Sequence, residues 1–301
     1  MTAILVRALR KRYGRRDALK GVDLSVEPGT VFALLGPNGA GKTSTIEILE
    51  GYRDRDAGEV QVLGEDPGCA GRAFRQRIGV MLQEGGVEPY LTVAEVLDAN
   101  RGYYLDPWPT DHLLEAVGLT DRATTRVRRL SAGQRRRLEL ALAVCGRPEL
   151  LFLDEPTLGF DPVARRAAWS WIRALATAGT TVMLTTNVME EAQALADRVA
   201  ILVDGVVVTA GTPVEVIDGR ARTTVIRFSP STGARGLPDE LQRGCVQVDG
   251  GAVELRTVEP VTALRDLTDW ALREGVALDE LSVRPRSLEE AYLDLVETAR
   301  R

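Results

Sequence analysis

Val22, Leu24 and Val26 alternate with Asp23 and Ser25, the period-two pattern of a strand with one buried face. Pro28-Gly29 then turns the chain. Val31-Phe32-Ala33-Leu34-Leu35 is apolar without a break, as a strand covered on both faces requires. A glycine-rich stretch follows, and a helix is predicted from about Lys42 to Gly51. Residues from about 87 to 145 read mostly helical. The last helix of that stretch starts at Ser131, with Gln134 at capping-box spacing. Leu138, Ala141, Leu142 and Cys145 share one of its faces, and Gly146 and Pro148 end it. Leu150 to Leu153 is a second buried strand. Asp161-Pro162 opens a helix with N-cap and first-turn signals. Its predicted inner face is Ala164, Ala168, Trp171 and Leu175, and Gly179 closes it. Thr180 to Thr186 reads as a strand, and Val199 to Val203 and Val206 to Thr209, joined by Asp204-Gly205, as a hairpin.

The pattern changes near Gly219. Short strands are predicted at Thr224 to Phe228, Cys245 to Val248 and Val253 to Arg256, followed by an amphipathic helix from about Val261 to Arg273. A final helix opens at Ser287, with Glu290 at capping-box spacing, and is expected to bury Leu288, Ala291, Tyr292 and Leu295. Strands alternating with helices indicate an α/β core with a parallel sheet. The expected division is residues 1–220, with a helical subdomain at about 87–145, and a smaller α+β domain at 221–301.

A length of 301 residues leaves room for both. A net charge of −5 argues against a general nucleic-acid binder. No apolar run reaches the ~18 to 20 residues that span a bilayer, and the first residues lack the layout of a signal peptide. A cytoplasmic location without direct membrane insertion is expected, so any transport role needs a separate membrane partner. The three cysteines, Cys69, Cys145 and Cys245, are scattered without metal spacing and read as reduced thiols.

Three segments carry chemistry. Gly36-Pro37-Asn38-Gly39-Ala40-Gly41-Lys42-Thr43 fits G-x-x-x-x-G-K-[ST], the phosphate-binding P-loop, and lies between a buried strand and a helix as that motif requires. Its backbone amides from Asn38 through Thr43 can cradle a β-phosphate at a helix N-terminus, with Ser44 next in the turn. Gly36, Gly39 and Gly41 permit close approach, Lys42 can reach β/γ oxygens, and the Thr43 hydroxyl can ligate Mg²⁺. Leu151-Phe152-Leu153-Asp154-Glu155-Pro156 ends a buried strand in two carboxylates, where open α/β sheets bind ligands. Asp154 is placed to hold a magnesium shell, and Glu155 to polarise a water as general base. Leu130-Ser131-Ala132-Gly133-Gln134 puts donors at a helix start, which serves a capped helix and an anion site alike.

Together these segments resemble the nucleotide-binding subunit of an ATP-binding cassette (ABC) transporter. The resemblance implies a P-loop NTPase fold with a mixed sheet, ATP and Mg²⁺ as ligands, and ATP hydrolysis coupled to transport. Leu130 to Gln134 resembles the signature LSGGQ, with Ala132 for the first glycine. In the family that loop, here Ser131, Gly133 and Gln134, docks on ATP held by the opposite subunit. Gln83 matches the Q-loop glutamine that joins the magnesium shell and feels the membrane partner. Tyr13 matches the aromatic that stacks on adenine, or is a partly buried surface tyrosine. Asp161 matches the D-loop aspartate, or is only an N-cap. One position departs: the slot of the switch histidine holds Asn187, whose plainer reading is an N-cap paired with Glu190. Asn187 carries no charge and shuttles no proton, so slow hydrolysis is expected. The only histidine, His112, lies outside the motifs.

The tail from Pro285 to Leu295 resembles the accessory domain of bacterial exporter ATPases of the drug-resistance and ABC-2 type. That implies two nucleotide-binding subunits, as a homo- or heterodimer, beneath an integral membrane permease at the inner face of the cell membrane. Two alternatives stand beside it: a regulatory, weakly hydrolysing half of a heterodimer, and a non-transport ABC ATPase.

Overall fold

The computed structural model describes residues 2–82, 86–219, 223–230, 237, 241, 245–247 and 252–299. It divides into two compact units, Met1–Pro213 with Leu295–Arg301, and Val214–Asp294.

Two sheets build the larger unit. β1 (Ile4–Tyr13), β2 (Arg16–Val26) and β4 (Ala57–Val62) form an antiparallel sheet in the order β2-β1-β4. The predicted alternation holds, with Val22, Leu24 and Val26 buried. A six-stranded sheet combines β3 (Val31–Leu35), β5 (Ile78–Met81), β6 (Leu150–Asp154), β7 (Thr181–Thr185), β8 (Arg198–Val203) and β9 (Val206–Gly211) in the order β5-β6-β7-β3-β8-β9. Its first five strands are parallel, and β9 returns antiparallel to β8 through Asp204-Gly205. Those turn residues have φ of 48° and 79°, the positive values a two-residue hairpin needs. Ile4, Val6, Val60, Phe32, Leu34, Ile48, Phe152 and Met183 share one apolar core between these layers.

The register sets the chemistry. Thr185 of β7 pairs with Leu34 of β3 on one side and with Asp154 of β6 on the other. The carboxyl ends of three neighbouring strands are thus level, at the edge where parallel sheets bind ligands. α1 (Lys42–Leu49) leaves β3 there. The helical segment contains α3 (Val93–Arg101), α4 (Thr110–Ala116) and α5 (Ala132–Val144), after the short α2 (Arg72–Arg77). α5 is buried over more than one face: Leu140, Ala143 and Val144 join Leu138, Ala141 and Cys145 inside, while Leu142 is only half-buried. α6 (Pro162–Thr177) buries Ala168, Ile172 and Ala176, spaced every four residues. Of the other predicted positions, Ala164 continues that stripe toward the helix start and Trp171 and Leu175 flank it, all three half-buried. α7 (Met189–Leu195) completes the set.

In the smaller unit α8 (Pro213–Asp218) starts at the division. β10 (Thr224–Pro230), β11 (Cys245–Gln247), β12 (Val253–Thr257) and β13 (Leu278–Pro285) form an antiparallel sheet in the order β11-β12-β10-β13. α9 (Pro260–Glu274) buries Ala263, Leu267, Trp270 and Ala271 into a core with Ile226, Phe228 and Leu255. α10 (Leu288–Ala299) runs across the division, and Ser287 and Glu290 make the expected reciprocal cap, Ser287 N to Glu290 Oε2 at 2.9 Å and Glu290 N to Ser287 Oγ at 3.2 Å. β13 has no counterpart in the sequence reading. It is an edge strand whose middle residues, Asp279 to Val283, are all exposed, so burial imposes no alternation on them. Val248, at the end of a predicted strand, lies outside the described residues. Cys145 is buried, Cys245 half-buried and Cys69 exposed, and all are free thiols. No helix among the described residues is long and apolar enough to cross a membrane.

Candidate functional site

A cleft of about 540 Å³ opens at the level strand ends, lined by Pro37 to Gly39 and Gly41 to Ser44, by Asp154 and Glu155, and by Tyr13, Arg16 and Ala18 of the antiparallel sheet. The loop can only be built with glycine. A Cβ on Gly36 would lie 2.2 Å from the Leu202 carbonyl oxygen, and one on Gly41, at φ 111°, would lie 2.6 Å from Leu19 Cδ2. The first backbone bond of α1 runs from Thr45 N to Gly41 O at 2.9 Å. The amides ahead of it at the helix start have no intrahelical acceptor and carry the positive end of the helix dipole.

Lys42 is 9% exposed. Its Nζ donates to Gly36 O at 2.6 Å and to Pro37 O at 3.3 Å, so the cation curls over its own loop against neutral carbonyls. Burial pulls its pKa below the usual lysine range, and the nearby Glu155 and Asp154 carboxylates oppose that shift. A buried ammonium, free helix amides and a glycine-lined wall make a receptor for an anion.

Asp154 Oδ1 accepts from the Thr185 hydroxyl across the β6–β7 pair. Glu155 has φ of 50°, outside the range most side-chain-bearing residues adopt, and its N–H donates to Thr185 O at 3.0 Å. One of its carboxylate oxygens, Oε1, accepts from Asn187 Nδ2. Asn187 is therefore not the cap of α7: the N-cap is Val188, whose N–H donates to Thr186 Oγ1 at 3.0 Å. The plainer reading of Asn187 is corrected on geometry, because its side chain turns toward β6 and pairs with Glu155.

The Tyr13 hydroxyl meets Ser44 Oγ at 3.0 Å, with the Arg53 guanidinium 5.2 Å from the ring centroid. Tyr13 is 39% exposed and lines the cleft, with the Lys11 ammonium 5.7 Å from the ring centroid as well. Ser131, Gly133, Gln134 and Asp161 do not line it. Ser131 caps α5 with Gln134 in a reciprocal pair, Gln134 N to Ser131 Oγ at 3.2 Å and Ser131 N to Gln134 Oε1 at 3.0 Å, and it is exposed. A Cβ on Gly133 would sit 3.1 Å from the Gly159 carbonyl oxygen, so the signature loop abuts the segment ahead of Asp161. Asp161 caps α6, accepting from Ala164 N at 2.9 Å and Val163 N at 3.0 Å, and those amides hold its carboxyl below the usual range. Gln83 lies outside the described residues.

Four contributors were missed from the sequence. Arg16 lines the cleft and donates to Gly39 O at 2.9 Å; nothing in Gly14-Arg15-Arg16 separates it from its neighbour. Thr185 orients Asp154 only because the register sets it opposite. Glu191, 1% exposed, accepts from Thr157 Oγ1 at 2.7 Å and Trp169 Nε1 at 3.0 Å, joining α7 to the segment after Glu155. Arg136 is buried and donates to the backbone carbonyls of Asp154 and Glu155; it stands between Arg135 and Arg137, and no local signal separates the three.

Residues 19–158 match the ABC transporter family, and residues 224–287 match the family described as "ABC transporter domain-containing protein-like, C-terminal domain". The Nod factor export ATP-binding protein I of Ralstonia nicotianae is 43% identical, over 96% of this chain and 92% of that protein. Daunorubicin resistance ATP-binding protein DrrA3 of Streptomyces coeruleorubidus is 36% identical, over 100% of this chain and 98% of that protein. Among solved structures, an ATP-binding subunit of an ABC transporter superposes with a TM-score of 0.66 at 26% identity, covering 71% of this chain and 92% of that one. A dimeric cassette in a post-hydrolysis state with ADP and Pi gives 0.64 at 23% identity, covering 69% and 98%, a likeness of fold. The chain belongs to the ATP-binding proteins of the ABC transporter family, of the drug-resistance and ABC-2 exporter type.

Proposed function

We propose that this chain binds ATP with Mg²⁺, closes head to tail on a second cassette, hydrolyses the nucleotide, and thereby drives export through a separate integral membrane permease at the inner face of the cell membrane. The observation that carries this reading is the buried Lys42 beside Asp154 and Glu155 in one glycine-walled cleft.

The loop amides and Lys42 would hold the β- and γ-phosphates, and Lys42 would exchange its carbonyl partners for phosphate oxygens. Tyr13, exposed where it lines the cleft, would stack on the adenine ring. Thr43 and Asp154 line the same cleft as hard oxygen donors, which suits Mg²⁺; Gln83 is proposed as a third member of that set. Bound there, the metal supplies charge neutralisation for the transferring phosphoryl group. Glu155 accepts the proton of the attacking water through the oxygen that Asn187 leaves open. Ser131, Gly133 and Gln134 are exposed or half-exposed at a capped helix start, which suits them to the γ-phosphate of ATP on the opposite subunit. Asp161, the cap of α6 close to the signature loop, would lie beside that interface.

Glu155→Gln tests the reading. It keeps the shape and removes the proton acceptor, so turnover should fall ~10³-fold while ATP binding persists. Gel filtration with ATP should then show a trapped dimer, and hydrolysis at the parent rate would remove Glu155 from the role of base. A second reading, a weakly hydrolysing regulatory half of a heterodimer, draws on one observation: an uncharged amide, not an imidazole, stands on Glu155.

A further inference from the structure

The peptide that carries Glu155 is held in a left-handed conformation, φ 50°, which a side-chain-bearing residue keeps only when its surroundings over-determine it. Thr185 O takes its N–H at 3.0 Å. The carbonyl side is taken by Arg136. That guanidinium is 7% exposed. Its Nη2 donates to the carbonyl of Asp154 and, at 3.1 Å, to that of Glu155. Its Nη1 donates to Leu82 O at 2.6 Å and to Glu139 Oε2 at 2.9 Å. One planar fork thus gathers the end of β6, the residue after β5 and the α5 carboxylate that offsets its charge. Arg136 itself does not line the cleft.

We propose that Arg136 is a positioning residue for the base. It fixes the two peptide units that aim the Glu155 carboxylate, and it ties them to α5, the helix whose capped start is the signature loop. This rests on the reading of Glu155 as the base. The role demands a guanidinium: a lysine ammonium is a point charge without the fork and does not satisfy carbonyls on two strands and a carboxylate with the same geometry. A group that acts only on aim should change turnover and leave ground-state binding alone.

The experiment uses the full chain with Arg136→Lys and Arg136→Gln. Steady-state phosphate release gives kcat, and calorimetric titration with ATP gives Kd. The expected result is a kcat lower by ~10- to 100-fold with Kd within about 3-fold of the parent. In a Glu155→Gln background the same substitutions should change the residual rate by less than about 3-fold, because residues acting through one another are not additive. Full additivity overturns the inference, as does loss of ATP affinity in step with kcat in a folded variant. If neither Arg136 variant folds, Glu139→Gln decides, because it keeps the guanidinium and removes its anion: a lower kcat at parent Kd supports the link, and an unchanged kcat overturns it. Glu155→Gln at the parent rate overturns the base reading and this inference with it. Collapse of turnover in Glu155→Gln beside an unchanged kcat in Arg136→Lys overturns this inference alone.

Discussion

Lys42 and Trp270 are both almost wholly buried, at 9% and 4% exposed, and they show how differently the two units use their interiors. Lys42 is a cation held by carbonyls at the mouth of a cleft. Trp270 fills an apolar core with Phe228, Leu255 and Leu267, and its indole N–H has no partner among the described residues. The contrast runs through both units. Among the described residues, every buried polar or charged side chain (Lys42, Thr45, Arg136, Thr157, Thr181, Thr185, Thr186 and Glu191) belongs to Met1–Pro213. In Val214–Asp294 the charges pair at the surface instead, as in Arg284 with Glu290 at 2.6 Å and Arg256 with Asp294 at 2.9 Å. Buried polar groups cost stability unless they are fully bonded. The larger unit accepts that cost for charged and hydroxyl side chains, Lys42 in the cleft among them, and the smaller unit keeps its described charges out of its core.

The largest test of that contrast is Lys42→Ala. Removing the cation should weaken ATP binding by ~10²-fold or more, since charge-assisted bonds to phosphate are the strongest the loop can offer, with little change in melting temperature. Calorimetric titration and a thermal melt measure the two effects, and unchanged affinity would break the assignment of the cleft.

Trp270→Ala should do the reverse. A large aromatic lost from an apolar core costs ~3–5 kcal/mol of stability, while the ATP affinity of the folded protein should be unmoved. Trp270→Phe should be far milder, because its N–H has no partner to lose. A drop in ATP affinity for folded Trp270→Ala would show that the units do not divide packing from chemistry.

Asn187→His sharpens the comparison inside the larger unit. Restoring an imidazole beside Glu155 should raise kcat by roughly 10-fold with KM nearly constant, because the gain lies in the transition state. Steady-state phosphate release decides it, and an unchanged or lower kcat would mean Asn187 is no handicap.

The smallest effects are in pH. Burial first, then repulsion from Asp154 and Glu47, pushes the Glu50 carboxyl up to about 8 from 4.5. Folded protein therefore keeps a proton that the unfolded chain loses, and stability falls as pH rises from 4.5 toward 8. Glu50→Gln should melt higher than the parent by a margin that grows across that window. Glu290 is the mirror case. The Arg284 guanidinium, then the Ser287 amide, holds its carboxyl down at about 2 instead of 4.5. Its contribution is present above pH 4.5 and is lost as pH falls toward 2, so Glu290→Gln should be costly at neutral pH and nearly neutral near pH 2. Parallel pH slopes for the two variants would contradict the opposite environments of the two carboxylates.

The larger unit was legible because its signals are local and over-determined. A fully buried parallel strand must be apolar throughout, and Val31–Leu35 and Leu150–Leu153 are. A phosphate loop needs glycine where a Cβ would strike backbone, and Gly36 and Gly41 stand there. A capped helix needs its partner three residues on, and Ser131 has Gln134. Sequence alone thus determined the loop, the two carboxylates, the signature helix and the family resemblance. Tertiary structure decided what depends on register and on which face an element buries. Nothing in the spacing shows that Thr185 meets Asp154 or that Asn187 pairs with Glu155 rather than capping α7; strand pairing and the turn after β7 do that. Nothing local distinguishes Arg136 from Arg135 and Arg137, since three adjacent arginines look alike until packing sends one of them inward. The edge strand β13 was invisible for the opposite reason. Its middle residues bury nothing, and a strand without a buried face leaves no periodic trace in the sequence.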